Sequence, residues 1–130
     1  ALQPVVAVDK LTAACRAAVD LPGVTFASAN LITCVRLERL SAGIEEYRSP
    51  GGFFLEYASQ TLDDLKAVVT PRYQTLSVLG AEPEAVRRFV LENGLRGVDR
   101  VVPIGHTMDF ALTWDGFDWI RTLSRRVGIS

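Results

Sequence analysis

The chain has 130 residues, of which 48% are apolar and 22% are charged, and its formal net charge is −1. This length fits one domain with its own core, and this balance is typical of a soluble globular protein. The near-neutral charge gives no electrostatic basis for binding nucleic acid or an anionic membrane, and no apolar run approaches the ~20 residues of a membrane helix. We therefore expect neither a nucleic-acid partner nor a membrane span.

One helix is predicted after the first eight residues. Residues 1 to 8 are apolar and extended in character, with Pro4 arguing against a helix there. Asp9 is a candidate cap for the helix that follows. Helical spacing predicts a buried face made of Leu11, Ala14, Cys15, Ala18 and Val19.

Short strands are predicted after this helix. The first is Val24 to Ala27. In the run 31–40, Val35 and Leu37 alternate with charged residues, which favours a strand with one wet face and leaves a helix as the alternative. Bulky and aromatic residues at 53–57 predict a further strand.

From Phe53 onward the pattern predicts the order β-α-β-α-β-α. The elements after the first strand are a helix capped by Thr61 with Asp64, a strand at 73–79, a helix from Pro83, a strand at 98–104, and a last helix that Asp115 caps and that buries Phe117, Ile120, Leu123 and Val127. Such alternation implies an α/β fold with a mainly parallel sheet covered by helices. Pro103, which has no amide hydrogen to donate, is expected at the end of its strand.

The two cysteines do not form a redox or metal motif. Cys15 and Cys34 are 19 positions apart with no CxxC pattern, and a single histidine cannot complete a zinc site with them. We predict that both are buried free thiols in a reducing cytoplasm.

Two loops hold candidate functional residues. His106 follows a strand and lies close in sequence to Asp109, where a histidine–aspartate pair can do acid–base work or contact a substrate. The alternative is a solvated or capping histidine. Glu45 and Glu46 precede a strand, where a carboxylate can accept hydrogen bonds from ribose hydroxyls, and the alternative there is a solvated acidic turn.

Other residues indicate structural roles. Asp115 and Asp118 are three positions apart, but a helix cap and its first turn explain them without a metal. Trp114 could anchor a loop beside a site. The sequence has no GxGxxG motif, no phosphate-binding glycine loop and no G-x-S-x-G elbow.

Several segments together resemble a known family. In order along the chain they are Gln74 to Gly80, Gly97 to Gly105, Trp114-Asp115-Gly116 and Leu123-Ser124-Arg125. This set resembles the C-terminal part of acyl-CoA reductases, the fatty-acyl reductases related to the bioluminescence enzyme within the aldehyde dehydrogenase superfamily.

An earlier part of the chain adds a fainter match. Glu46 to Pro50, with the strand at 53–57 and the helix beginning at Thr61, resembles the superfamily's Glu-x-Phe-Gly-Pro segment and the elements after it. Arg48 and Ser49 stand where that pattern has Phe and Gly.

The resemblance implies a fold, a reaction, a substrate class and a cofactor. The fold is that of the C-terminal part of an aldehyde dehydrogenase catalytic domain. A cysteine thiolate attacks an acyl-CoA or acyl-carrier thioester, and hydride from NADPH or NADH gives the aldehyde. Glu46 then holds the nicotinamide ribose, and His106 is the candidate contact to the substrate.

In that family the nucleophile lies well upstream, and only 45 residues precede Glu46 here. We therefore expect a C-terminal portion whose partners are the rest of the enzyme or other subunits, and the start at Ala1 rather than at a methionine fits this expectation. One alternative is a single α/β domain that acts as a non-catalytic binding or assembly module, with an interface formed by residues such as Val5, Val6, Val8, Phe26 and Ile32. The other is a small unrelated enzyme that uses His106.

Overall fold

The computed structural model describes residues 3–128, and the chain divides into two compact units. Unit 1 is Ala1–Val68 and unit 2 is Val69–Ser130. Within the described residues, no helix has the length and apolar character needed to cross a membrane.

Unit 1 contains a three-stranded sheet in the order β1-β2-β3. Its strands are Thr25–Ser28, Thr33–Arg36 and Phe53–Glu56. β1 runs antiparallel to β2, and β2 runs parallel to β3. The central strand, β2, and the two residues after it confirm the predicted alternation. Val35 and Leu37 are buried, whereas Arg36 and Glu38 are exposed.

Helix α1, Pro4–Asp20, differs from the sequence prediction in its start and its buried face. It begins at Pro4, where a proline in the first turn loses no hydrogen bond because the first amides of a helix have no partner inside it. Its buried side chains are Lys10, Ala13, Ala14 and Ala17, so of the predicted face only Ala14 is buried.

Small side chains explain which face of α1 points inward. Three alanines let the helix backbone approach β1 and β2 closely, and the larger Val and Leu side chains are left outside. The buried Lys10 is satisfied because its Nζ donates to the Leu31 carbonyl at 3.0 Å. The core of unit 1 is made of Ala14, Ala17, Val35, Leu37, Ile44 and Val68.

Two 3₁₀ helices complete unit 1, Ile44–Tyr47 and Leu62–Ala67. The second replaces the α-helix predicted after Thr61. Thr61 does cap it, since its Oγ1 accepts from the Asp63 amide at 3.2 Å. The Asp64 carboxylate does not complete a capping box with the Thr61 amide. Its Oδ2 accepts a hydrogen bond from the Ser59 hydroxyl at 2.5 Å instead.

Unit 2 begins with a β-α-β unit, as the sequence predicted. β4 is Gln74–Val78, α2 is Pro83–Glu92 and β5 is Val98–Pro103. β4 and β5 pair in parallel. Pro103 ends β5, and α2 buries Val86 and Val90 against it.

The end of unit 2 differs from the prediction. A hairpin of β6, Thr113–Trp114, and β7, Phe117–Asp118, precedes a single short helix, α3, Trp119–Leu123. The side chains predicted to form a buried stripe are exposed, from 60% at Phe117 to 92% at Val127. A five-residue helix is too short to present the stripe that a full-length helix would have buried.

The fold is therefore α/β, but the prediction of a mainly parallel sheet is wrong. Within residues 3–128 the strands form three small sheets, in which two strand pairs are parallel and two are antiparallel. The alternating pattern from Phe53 assumed that β3 and β4 are neighbours. They belong to different sheets, because a 3₁₀ helix and a turn follow β3 where a crossover helix was predicted.

Candidate functional site

The turn after β5 brings His106 into contact with Asp109. His106 Nδ1 lies 2.6 Å from Asp109 Oδ2, and both side chains are exposed. The turn itself is held by two backbone hydrogen bonds, from the His106 amide to Pro103 and from the Asp109 amide to His106. With Nδ1 engaged by a carboxylate, the ring presents Nε2 to a ligand, the arrangement in which histidine moves a proton or binds a polar group.

Arg100 fixes the loop that carries this pair. Its guanidinium donates to the carbonyl oxygens of Thr107, at 3.1 Å, and Asp109, at 3.0 Å. The same group lies 4.3 Å from the centroid of the Trp114 ring, and Phe110 stacks on that ring at 6.0 Å. Arginine suits this role because one planar group can donate several hydrogen bonds and stack on an aromatic face.

No local pattern in the sequence predicted this role for Arg100. Trp114 was predicted as a possible loop anchor, and the face of its indole ring makes the contact with Arg100. Because Arg100 belongs to β5, the strand itself sets the position of the His106 loop.

The Glu45–Glu46 segment lies in unit 1 on the 3₁₀ helix Ile44–Tyr47. Ile44 is buried and anchors the helix, and Glu46 is exposed. Glu45 is half-buried, and its Oε2 is enclosed without a hydrogen-bond partner, as is the Oγ of Ser49. Buried polar atoms normally have partners, so these two atoms are exceptions among the described residues.

Tyr47 ties the end of this segment to α1. Its hydroxyl donates to Asp20 Oδ2 at 3.2 Å, and the Arg16 guanidinium lies 5.6 Å from its ring centroid. Burial, followed by the contact with Asp20, raises the pKa of Tyr47 above its usual range. The tyrosine therefore stays neutral and holds the Glu46 segment against the helix.

The carboxyl ends of β2 and β3 form a depression that was not predicted from the sequence. Its volume is about 380 Å³, and its lining includes Arg36, Glu56 and Tyr57. Burial and the nearby Asp64 raise the pKa of Tyr57. Ligands commonly bind at the carboxyl ends of parallel strands, and the available signal was the pair of charged residues where two apolar strands stop.

Neither cysteine matches its predicted environment fully. Cys15 is exposed on α1, so the prediction that it is buried is wrong, and Cys34 is half-buried on β2. Both are free thiols. A hydrogen bond with Glu56, then burial, raises the pKa of Cys34. A thiol held neutral in this way is a poor nucleophile, because the thiolate is the reactive form.

The aspartates near the C-terminus have roles shifted from those predicted. Asp118, rather than Asp115, caps α3, since its Oδ1 accepts from the Arg121 amide at 3.0 Å. Asp115 has φ +49° and Gly116 has φ +77°, and together they form the two-residue turn between β6 and β7. Asp-Gly is a strong hairpin signal, and it was present in the sequence. Residues 3–128 contain no cluster of three or more potential metal ligands.

The candidate residues thus fall into two groups. Glu46 belongs to unit 1, and the His106–Asp109 pair belongs to unit 2. No protein-family model, curated protein or solved structure matches this chain.

Proposed function

We propose that the chain is the C-terminal portion of an NAD(P)H-dependent reductase that converts an acyl-CoA or acyl-carrier thioester to an aldehyde. The observation that carries the proposal is the way in which the segments resembling acyl-CoA reductases meet in unit 2. The Gln74 segment forms β4 and the Gly97 segment forms β5, and these strands pair directly from Gln74 and Val98 onward.

The third segment packs on the second. The Trp114 ring lies against Arg100 of β5. At Gly116 a β-carbon would be 3.1 Å from Asp99 Oδ1, so the absence of a side chain lets the hairpin approach β5 closely. Residues 25 positions apart, such as Thr75 and Arg100, are thus brought together by the segments that carry the resemblance. Because these segments pack into one structural unit, we treat their resemblance to acyl-CoA reductases as a single observation rather than as separate chance matches.

Exposed apolar side chains support the proposal of a portion that works with the rest of an enzyme. Between Met108 and Leu123, unit 2 exposes large apolar residues, including Met108 at 84%, Phe110 at 80% and Leu123 at 75%. Large exposed apolar surfaces mark interaction sites. We propose that the remainder of the enzyme or another subunit covers them, and that the fold completed in this way is that of an aldehyde dehydrogenase catalytic domain.

The Glu46 segment fits a ribose. A carboxylate only accepts hydrogen bonds, and a ribose diol offers two donors. Glu46 is exposed on the 3₁₀ helix, whereas the Oε2 of the adjacent Glu45 is enclosed, so Glu46 is the glutamate of this segment that a ribose can reach. We assign the nicotinamide ribose to Glu46. When bound, NADPH or NADH supplies the hydride that reduces the acyl group.

His106 is the residue we assign to the substrate. Asp109 orients its ring, and Arg100 holds the loop, so that Nε2 is available to donate to or accept from a polar group of the thioester. The nucleophile is assigned to a cysteine outside this chain, since Cys15 and Cys34 both lie too close in sequence to Glu46 to match the nucleophile of the family, and the raised pKa of Cys34 keeps that thiol neutral. We propose a reducing cytoplasm because Cys15 and Cys34 are both free.

The test begins with the intact mass of the protein in its source, which is expected to be far above 14.2 kDa. The longer polypeptide, given NADPH and a fatty acyl-CoA, should oxidise the cofactor and release an aldehyde in equal amounts. The 130-residue chain alone should show no turnover. A longer polypeptide that forms no aldehyde would reject the reductase and favour a binding or assembly module.

The adjacent glutamates provide a matched pair for the ribose assignment. Glu46→Gln in the longer polypeptide should weaken NADPH binding by roughly 10-fold or more, because a hydrogen bond to a charged group contributes ~1.5–3 kcal/mol. Glu45→Gln makes the same charge change one position away and should have a smaller effect. The reverse order would move the assignment to Glu45, and no effect from either change would remove the segment from the cofactor site.

A further inference from the structure

Helix α1 has a second apolar row on the side that faces away from unit 1. The row, named here the outward stripe, consists of Val5, Val8, Thr12, Cys15 and Val19. Its members are separated by three, four, three and four residues, the spacing with which helices pair side by side. Val5 is 60% exposed, Val8 is 63% exposed and Val19 is 84% exposed.

The outward stripe is not part of the core of unit 1. A helix turns about 100° per residue, which places the stripe opposite Lys10, Ala14 and Ala17, the residues that pack inward. The helix therefore has an inner face of alanines around the buried Lys10 and an outer face that carries three exposed valines. An ordinary surface helix has an apolar face on one side only.

Charged and apolar residues along the two edges of the stripe indicate what covers it. Asp9 and Arg16 lie on one edge, seven positions apart, and both are exposed. Leu11 and Ala18 lie on the opposite edge, also seven positions apart and exposed. If two copies of α1 paired in parallel, the charged edge of each copy would lie against the Leu11 and Ala18 edge of the other, and neither charge would gain a partner. If they paired antiparallel, Asp9 of each copy would meet Arg16 of the other.

We infer that α1 pairs antiparallel with α1 of a second copy of this chain, through the outward stripe. One register pairs the stripe from Val8 to Val19 and satisfies both edges at once, while Val5 lies beyond the end of the second helix. Val8 packs on Val19 of the second copy and Thr12 packs on Cys15, while Leu11 meets Ala18 on the apolar edge. A depression of about 440 Å³ on this face, lined in part by Leu11, Cys15 and Val19, receives side chains of the second helix.

The size of the helix limits the strength of this pairing. Seventeen residues span about 25 Å, and one helix face of this length is smaller than the roughly 800 Å² per partner of a standard interface. The dimer should therefore be in exchange with the monomer. The inference does not rest on the proposed reductase activity.

Sedimentation velocity of the 130-residue chain, over a concentration series that reaches the near-millimolar range, tests the pairing by charge exchange. Asp9→Arg alone and Arg16→Asp alone each place like charges together twice per dimer. Each should weaken dimerisation at least 10-fold. The double variant Asp9→Arg/Arg16→Asp restores opposite charges and should dimerise nearly as well as the original chain.

The double variant also separates pairing from effects inside one copy. Arg16→Asp removes the contact of Arg16 with Tyr47, and a second change at Asp9 cannot restore that contact. The control is Glu92→Arg, a charge reversal at an exposed position of α2, which should leave dimerisation unaltered. Val8→Asp should abolish the dimer while circular dichroism shows unchanged helix content. The inference would be overturned if the chain stayed monomeric at every concentration. It would also be overturned if the double variant dimerised no more strongly than either single variant. In both cases the outward stripe would be assigned to a partner other than a second copy.

Discussion

Replacing Gly97 by alanine is expected to destabilise unit 2 more than the same replacement at Gly105. Both glycines belong to the segment that forms β5 and its following turn, and both have positive φ, +114° at Gly97 and +89° at Gly105. Any L-residue is strained in this region, at a cost of about 1–2 kcal/mol. Alanine offsets about 0.4–1 kcal/mol of this cost by restricting the unfolded chain.

The two positions differ in the space around the new methyl group. At Gly105 no atom lies within 4 Å of an added β-carbon. At Gly97 the β-carbon would overlap the Thr70 carbonyl oxygen and lie 2.5 Å from its carbon and 2.8 Å from the Pro71 nitrogen. These are backbone atoms, which cannot rotate away, so the backbone must shift at a further cost of about 1–3 kcal/mol.

Urea denaturation followed by tryptophan fluorescence measures this difference. Both tryptophans, Trp114 and Trp119, belong to unit 2 and report its unfolding. The Gly97→Ala variant should unfold with a free energy about 1–3 kcal/mol lower than the Gly105→Ala variant, a midpoint difference of roughly 1 M or more when m is ~1 kcal/mol/M. Equal losses of stability in the two variants would refute the close approach of Gly97 to Thr70.

Two further outcomes follow from side chains of unit 1, the first with an exposed valine of unit 2 as its control. Val35 is fully buried in the central strand, so Val35→Ala should lower the free energy of unfolding by about 2–3 kcal/mol, from two lost methyl groups and the cavity they leave, whereas Val127→Ala, at a 92% exposed position, should change it by less than about 0.5 kcal/mol. Circular dichroism in urea compares the two, and similar losses would contradict the assigned core. In a Cys15→Ser background, Glu56→Ala should speed alkylation of Cys34 at mildly alkaline pH severalfold. The Glu56 hydrogen bond raises the pKa of Cys34 and so lowers its thiolate fraction at a given pH. An unchanged alkylation rate would show that Glu56 does not control the thiol.

The sequence by itself determined the secondary-structure elements whose local residue pattern fits only one type of element. The β4-α2-β5 unit was predicted correctly because alternating strands flank a helix with Pro83 at its start and Asn93-Gly94 at its end. β2 was predicted because Val35 and Leu37 alternate with charged residues. These signals act over a few residues and need no distant partner.

Only the tertiary structure decided which apolar face is buried and which strands are neighbours. α1 has apolar residues on two sides, and close packing on β1 and β2 selects the alanine side because small residues permit the shortest approach. The separation of β3 from β4 likewise depends on pairing between strands distant in the sequence, which no local pattern specifies. The contact of His106 with Asp109 was suggested by proximity in the chain, but its geometry depends on Arg100, whose position is set by β5.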